Sequence, residues 1–237
     1  MSASTAAMPS SSSVYTTRGF WERQWRGSGI IFVALFIVAY VLYGTQPGVG
    51  ASADALAAFY GGHRMRILIA AAASGLNILN LMWFAAVLRT TLADAGQDGW
   101  GAAATASSAA FGGMFLVLLT VSATLAYSIA GSGNGALTSG LNDFSWALVV
   151  FSSFPRAMLV MAGSFGLWRA KLISNALFGA GVAVVLLGVL GGTTWMSGGV
   201  WAPDGVYARF VWPLIGLVWV VIASRVVAKS PATRAAW

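Results

Sequence analysis

Six long apolar stretches, each continuous and nearly free of charge, constrain the fold of this chain more than any other feature. They occupy residues 28–43, 67–88, 109–130, 144–168, 173–192 and 206–224. Water is absent from a bilayer core, so a spanning segment must close its own backbone hydrogen bonds, as a helix of about 20 residues or within a closed barrel. The apolar residues do not alternate with polar ones, which favours helices. The sequence therefore predicts an all-α, polytopic membrane protein with a bundle of six transmembrane helices.

The composition agrees with a membrane protein and excludes several kinds of chemistry. Hydrophobic residues make up 58% of the 237 residues and charged residues 8%, against roughly 25% charged in soluble domains. The chain has no cysteine and one histidine, which excludes thiolate nucleophiles, cysteine-bound zinc or iron–sulfur clusters, and bis-histidine haem. We therefore predict no metal site and no cofactor.

The distribution of basic residues indicates how the chain is oriented. Six spans place both termini on one side, and that side carries Arg18, Arg23, Arg26, Arg89, Arg169, Lys171, Arg225, Lys229 and Arg234. The opposite loops carry only Arg64, Arg66 and Arg209. This excess predicts that both termini are cytoplasmic. Because the positive charges are scattered over several short loops, we do not expect nucleic-acid binding.

The predicted layout has three parts. Residues 1–27 form a Ser-rich cytoplasmic lead that ends in an interfacial Trp/Arg segment, residues 28–224 form the transmembrane domain, and residues 225–237 form a short basic tail. A cleaved signal peptide is the alternative for the start of the chain. Its apolar core is normally about 7–15 residues long, and the run here is longer, so we predict a retained first span.

Glycine residues in the fifth predicted span form one face suited to helix packing. Gly188 and Gly192 are four residues apart, and Gly181 lies seven residues before Gly188 on nearly the same face. Between lipid-solvated helices, small residues allow the backbones to approach closely. We predict contacts within the bundle; a face for a partner chain is the alternative.

Arg156 is the most costly residue in any predicted span. It lies near the middle of the fourth span, directly after Pro155, and a charge at that depth costs about 2.5–3.5 kcal/mol on insertion scales. Proline also removes a helical hydrogen bond and tends to kink the helix. Asn77 and Asn80, close to the midpoint of the second span, are the expected partners of the guanidinium group because their amide oxygens accept hydrogen bonds.

Three interpretations of this polar group remain open. Arg156, Asn77 and Asn80 could form a pocket for an anionic or polar ligand. They could equally form a satisfied network that fixes the kink, with the arginine snorkelling towards water. A contact with another subunit is the third interpretation.

Three further polar residues lie at the outer ends of predicted spans. Asn142 and Asp143 stand at the start of the fourth span, where an N-cap is expected. Asp143 and His63 emerge on the same side, so a cation or proton site in an outer vestibule is the alternative for them. His63 is otherwise expected to be a solvated loop residue.

Short motifs resemble those of a known set of proteins. They are FYGGHR at residues 59–64, LNDF at 141–144, and Phe154 with Pro155. In these motifs the chain resembles uncharacterised six-span membrane proteins that are common in actinobacteria, over roughly residues 51–224. The resemblance implies a six-helix fold in a bacterial cell membrane and no particular activity. Arginine is not typical after that proline, so it implies no family-wide role for Arg156.

Three functional hypotheses follow. Mid-membrane carboxylates, in-span lysine, nucleotide-binding loops and catalytic constellations are missing, so we predict a non-catalytic subunit that packs in, stabilises or regulates a larger membrane assembly. Its expected partners are the lipid bilayer and other membrane subunits. The alternative is a small-solute or lipid-binding permease module with its pocket at Arg156, Asn77 and Asn80. A cofactor-holding subunit that uses the many tryptophans is the weakest of the three.

Overall fold

The described part of the chain is helical throughout. A computed structural model describes residue 25 and residues 27–230, and every regular element in these residues is a helix. In order they are α1 (Ser28–Tyr43), α2 (Ala53–Gly62), α3 (Arg64–Asp94), α4 (Asp98–Thr124), α5 (Gly135–Phe151), α6 (Ser153–Arg169), α7 (Asn175–Gly191) and α8 (Trp212–Lys229). The π-helical segments Leu125–Ile129 and Tyr207–Val211 extend α4 and precede α8. The all-helical class is confirmed.

Several helical runs have the length and composition of membrane spans. Within the described residues, four qualify: Arg64–Asp94, Asp98–Ile129, Gly135–Arg169 and Tyr207–Lys229. The apolar helices α1 and α7 are shorter, with 16 and 17 residues. At 1.5 Å per residue they measure about 25 Å, against a hydrocarbon core of about 30 Å. A helical membrane-type protein is confirmed, and six crossings stay a prediction.

Some element boundaries differ from the predicted spans. α4 begins at Asp98, eleven residues before the predicted third span, and α5 begins at Gly135, nine residues before the predicted fourth. Both early stretches are rich in Gly, Ala and Ser, so they are helical without being strongly apolar. α8 continues to Lys229, so the predicted tail from residue 225 starts inside a helix. Apart from residues 25 and 27, the predicted lead at residues 1–27 lies outside the described residues.

The helices pack side by side around one main apolar core. α3 lies between α1 and α4, α6 packs against α4 and α7, and α8 contacts both α1 and α7. The core includes Phe84 and Leu88 of α3 and Trp212 and Trp219 of α8. The rings of Phe84 and Trp219 meet edge to face with centroids 6.4 Å apart. α8 therefore brings the end of the chain back against its first helix.

The glycine residues predicted to pack lie where α7 meets α6 and α8. A Cβ atom added at Gly188 would meet the indole ring of Trp212, one at Gly181 would meet Ser164 Oγ, and one at Gly192 would meet the ring of Phe154. Each position therefore has a neighbour where any larger residue would place its side chain. These contacts are within the chain.

The short helix α2 packs on a second, smaller core. Leu56, Phe59 and Tyr60 of α2 are buried against Ile67 of α3 and Leu125 of the segment that follows α4. The Ser52 side chain caps the helix by accepting a hydrogen bond from the Ala55 backbone amide at 3.3 Å. α2 thus covers one end of the bundle.

Candidate functional site

A break between α5 and α6 places Arg156 in the middle of a long apolar run. α5 ends at Phe151 and α6 begins at Ser153, within the turn that precedes Pro155. Proline lacks an amide hydrogen, so the Phe151 carbonyl loses its helical donor.

The Arg156 guanidinium group bonds to oxygen atoms on both sides of the break. Nε donates to Ser152 O at 3.1 Å, and Nη2 donates to Val149 O and to Ser153 Oγ, both at 3.3 Å. The group also lies 5.5 Å from the ring centroid of Phe111 and 5.6 Å from that of Trp212, distances typical of cation–π contacts. Nη1 has no hydrogen-bond partner among the described residues.

The predicted bonds between Arg156 and the two asparagine residues are not formed, which corrects that expectation. Asn77 is 1% exposed, and neither atom of its amide group has a hydrogen-bond partner in the described structure. Asn80 donates only to Leu76 O of its own helix, at 3.5 Å. The guanidinium group instead bonds to oxygen atoms of α5, of α6 and of Ser152 between them.

Arg156 lines a partly open cavity of about 140 Å³ between α1, α4, the α5–α6 pair and the start of α8. Most of its wall is apolar and aromatic, and its members include Phe36, Tyr40, Phe115 and Trp146. A second arginine, Arg209, also lines it. Neither Asn77 nor Asn80 is part of its wall.

The sequence predicts Arg209 only as an outer loop charge. It lies in the π-helical segment before α8, and its Nη2 atom donates to Gln46 O at 3.2 Å. The guanidinium group lies 4.8 Å from the ring centroid of Trp146. Its Nε atom is buried and has no hydrogen-bond partner in the part of the chain that the structure describes. Its position three residues into an apolar helical run is the signal that could have found it.

The charged side chains that line this cavity are both positive. None of the aspartate residues that the structure describes (Asp54, Asp94, Asp98, Asp143 and Asp204) lines it. Within the described residues, neither Arg156 nor Arg209 has a carboxylate at ion-pair distance. Two cations with unused donors therefore share an apolar cavity. The donors that remain, among them Nη1 of Arg156, are suited to the oxygens of a carboxylate or phosphate group, because hydrogen bonds between ionised partners are the strong ones.

A smaller cavity of about 40 Å³ is also lined by Arg156. Its wall is formed by apolar side chains of α1, α6 and α8, among them Phe32, Leu159, Val160 and Val220. Arg156 lines both cavities, as do Phe36, Phe111 and Pro213.

Asn142 and Asp143 do not cap a helix, which corrects that prediction. Asn134 caps α5 by accepting a bond from the Leu137 amide at 3.1 Å, so both residues lie inside the helix. Asn142 Oδ1 accepts from Tyr60 Oη at 3.0 Å and from Gln46 Nε2 at 3.1 Å. Burial raises the pKa of the Tyr60 phenol, which keeps it protonated as a donor.

The segment at residues 46–50 is fixed to α5 by side-chain bonds. Trp146 Nε1 donates to Pro47 O at 2.8 Å, and Asn142 Nδ2 donates to Gly48 O at 3.0 Å. The Gly50 amide donates to Asp143 Oδ1 at 3.1 Å. These bonds, together with that of Gln46, hold one wall of the two-arginine cavity in place.

His63 is exposed at the junction of α2 and α3, where its Nδ1 atom lies 3.3 Å from Phe59 O. The described residues contain no group of three or more histidine, aspartate or glutamate side chains that could hold a metal ion. A cation site that joins His63 to Asp143 gains no support from a shared cavity, since the pocket beside Asp143 does not include His63.

The fold and the two-arginine cavity define a helical membrane-type protein with a cationic, largely apolar chamber. No protein family, curated protein or solved structure matches the chain.

Proposed function

We propose that this chain is a non-catalytic integral membrane protein that binds an anionic amphiphile in the cavity between Arg156 and Arg209. A single observation carries the proposal: two guanidinium groups without acidic partners line one apolar, aromatic cavity. A buried charge is expensive unless a counter-charge accompanies it. A bound anion supplies that counter-charge.

The rest of the cavity indicates what the anion carries. Apolar and aromatic side chains dominate the wall, and burial of apolar surface contributes about 25 cal/mol per Å². A purely hydrophilic anion would leave this surface unused. A molecule with a carboxylate or phosphate group and a hydrocarbon tail, such as a fatty acid or a lipid, uses both.

The proposed setting is a bacterial cell membrane that the chain crosses six times, with both termini cytoplasmic. The order of the helices and the excess of Arg89, Arg169, Lys171, Arg225 and Lys229 over Arg64, Arg66 and Arg209 support it. The resemblance to six-span actinobacterial proteins is part of the same proposal.

Equilibrium binding of radiolabelled dodecanoate to the purified chain in maltoside micelles tests the site. We expect saturable binding, with dodecanol binding much more weakly because it lacks the charge. Arg156→Gln and Arg209→Gln should each weaken dodecanoate binding about tenfold or more, since bonds to charged groups contribute about 1.5–3 kcal/mol.

Arg169→Gln is the matched control, because Arg169 lies in the last turn of α6 and lines neither cavity. Binding of dodecanol as tight as that of dodecanoate would contradict the proposal. So would full binding by an Arg156→Gln protein that folds and inserts normally.

A role in a membrane assembly is the second candidate. The observation that favours it is a partly exposed amide, that of Asn80, on the outward surface of α3. An amide at mid-membrane gains from a protein partner.

A further inference from the structure

The outward surface of α3 carries a regular seam with a polar group in it. Ile69, Ala73, Leu76, Asn80 and Trp83 follow one another at alternating intervals of four and three residues. This is the heptad spacing of helices that pack along each other. Three members are strongly exposed: Ile69 by 54%, Leu76 by 64% and Trp83 by 57%. The seam therefore faces out of the chain.

Asn80 lies at the middle of this seam and is poorly satisfied. α3 has 31 residues and runs from Arg64 to Asp94, so Asn80 is next to its midpoint. Its Nδ2 atom reaches only Leu76 O of the same helix, at 3.5 Å, and its Oδ1 atom has no donor in the described structure. Hydrocarbon offers no hydrogen bonds, so the amide needs a protein partner at that depth.

The chemistry of the group selects a second copy of this chain as the partner. An amide has both donors and an acceptor, so two Asn80 side chains can exchange reciprocal hydrogen bonds. Two copies inserted with the same orientation are related by a two-fold axis along the membrane normal, which makes their α3 helices parallel and opposes each residue to itself. An asparagine at the first core position of a heptad favours this parallel register.

We infer that the chain forms a parallel homodimer through the α3 seam, with the two Asn80 amide groups hydrogen-bonded across the two-fold axis. The inference rests on the membrane location and is independent of anion binding. Leu76 and Trp83 pack against their counterparts one turn to either side.

The absence of cysteine from the chain makes a cross-linking test direct. Single Leu76→Cys and Trp83→Cys variants in lipid vesicles should form disulfide-linked dimers on mild oxidation. Leu186→Cys on α7 is the control, because Leu186 is equally exposed, at 61%, but lies off the seam. Cross-linking that is as efficient at residue 186 as at residue 76 would overturn the inference.

Energy transfer between labelled copies at decreasing protein-to-lipid ratios measures the contribution of the amide. Asn80→Leu should weaken dimerisation about tenfold, the scale of one interhelical hydrogen bond in a membrane. Asn80→Gln should retain most of it. A chain that remains monomeric at every ratio, or that pairs only with a different membrane protein, would overturn the inference and leave the anion site untouched.

Discussion

At the scale of single residues, Arg156 illustrates how a buried cation is accommodated without an acid. The carbonyl groups of Val149 and Ser152 accept from it, and two aromatic rings lie beside it. These contacts leave Nη1 unused. Residue type and depth predicted a costly arginine that needs partners, and the structure supplies those partners from its own chain.

Two glycine residues of α7 form a matched pair for a stability test. A Cβ at Gly188 would meet Trp212, whereas one at Gly179 meets nothing within 4 Å. We expect Gly188→Ala to lower stability by about 1–3 kcal/mol through overpacking. Gly179→Ala should be neutral or slightly stabilising, because alanine is the better helix former.

Thermal unfolding in detergent, followed by intrinsic fluorescence, distinguishes the two variants. The midpoint should shift by about 2–4 °C for each kcal/mol in a chain of this size. Equal shifts for the two variants would mean that α7 does not pack through Gly188.

Residue type identifies the polar residues that are energetically unfavourable in an apolar span, but it does not predict which of them contact each other. Arg156 and Pro155 are recognisable because their types conflict with an apolar span. Whether Asn77 or Val149 faces the guanidinium group depends on how each helix is rotated within the bundle, and a local pattern does not specify that rotation. A charge at the edge of an apolar run is predicted to lie in a loop, whereas Arg209 lies in a helical segment and lines the cavity.

At the scale of elements, the α5–α6 pair connects local chemistry to the shape of the bundle. Residues 135–169 would form a straight helix about 50 Å long at 1.5 Å per residue. The break at Ser152 divides it, and Arg156 bonds to oxygen atoms on both sides of the break.

Replacing the proline should lengthen this element. In Pro155→Ala the new amide can bond to Phe151 O, so we expect the helix to straighten. Spin labels at Leu137→Cys and Lys171→Cys, which is possible in a cysteine-free chain, would report a longer distance by pulsed electron resonance. An unchanged distance would show that Ser152 or tertiary packing, and not the proline, produces the break.

The starts of α4 and α5 show the limit of apolar patterns for elements. Hydropathy detects the part of a helix that is strongly apolar, and residues 98–108 and 135–143 are dominated by Gly, Ala, Ser and polar side chains. Ala favours helix, and packing of α5 against α2 and α4 provides the remaining stabilisation. Tertiary contacts of that kind are invisible along the sequence.

At the scale of the whole molecule, the ring of helices that α8 closes is compatible with an even number of crossings. The described loops then alternate between two sides, with residues 95–97 and 170–174 on the side predicted to be cytoplasmic. The six-span prediction puts residues 44–52, 130–134 and 192–206 on the opposite side.

Accessibility of single cysteine residues in intact cells tests this topology. We expect a membrane-impermeant maleimide to label Gly198→Cys and His63→Cys from outside. Gln97→Cys and Lys171→Cys should react only after permeabilisation. The reverse pattern would place both termini outside, and a mixed pattern would contradict six crossings.

The anchoring of residues 46–50 to α5 has a consequence for how the proposed amphiphile enters and leaves the cavity. Several hydrogen bonds join that segment to α5, so moving it away from the cavity would break them together. Lateral entry of the amphiphile from the bilayer, between two helices, would displace only apolar side chains. Occupancy of the cavity would then depend on the mole fraction of the amphiphile in the surrounding leaflet. Added phospholipid would dilute the amphiphile and lower its apparent affinity.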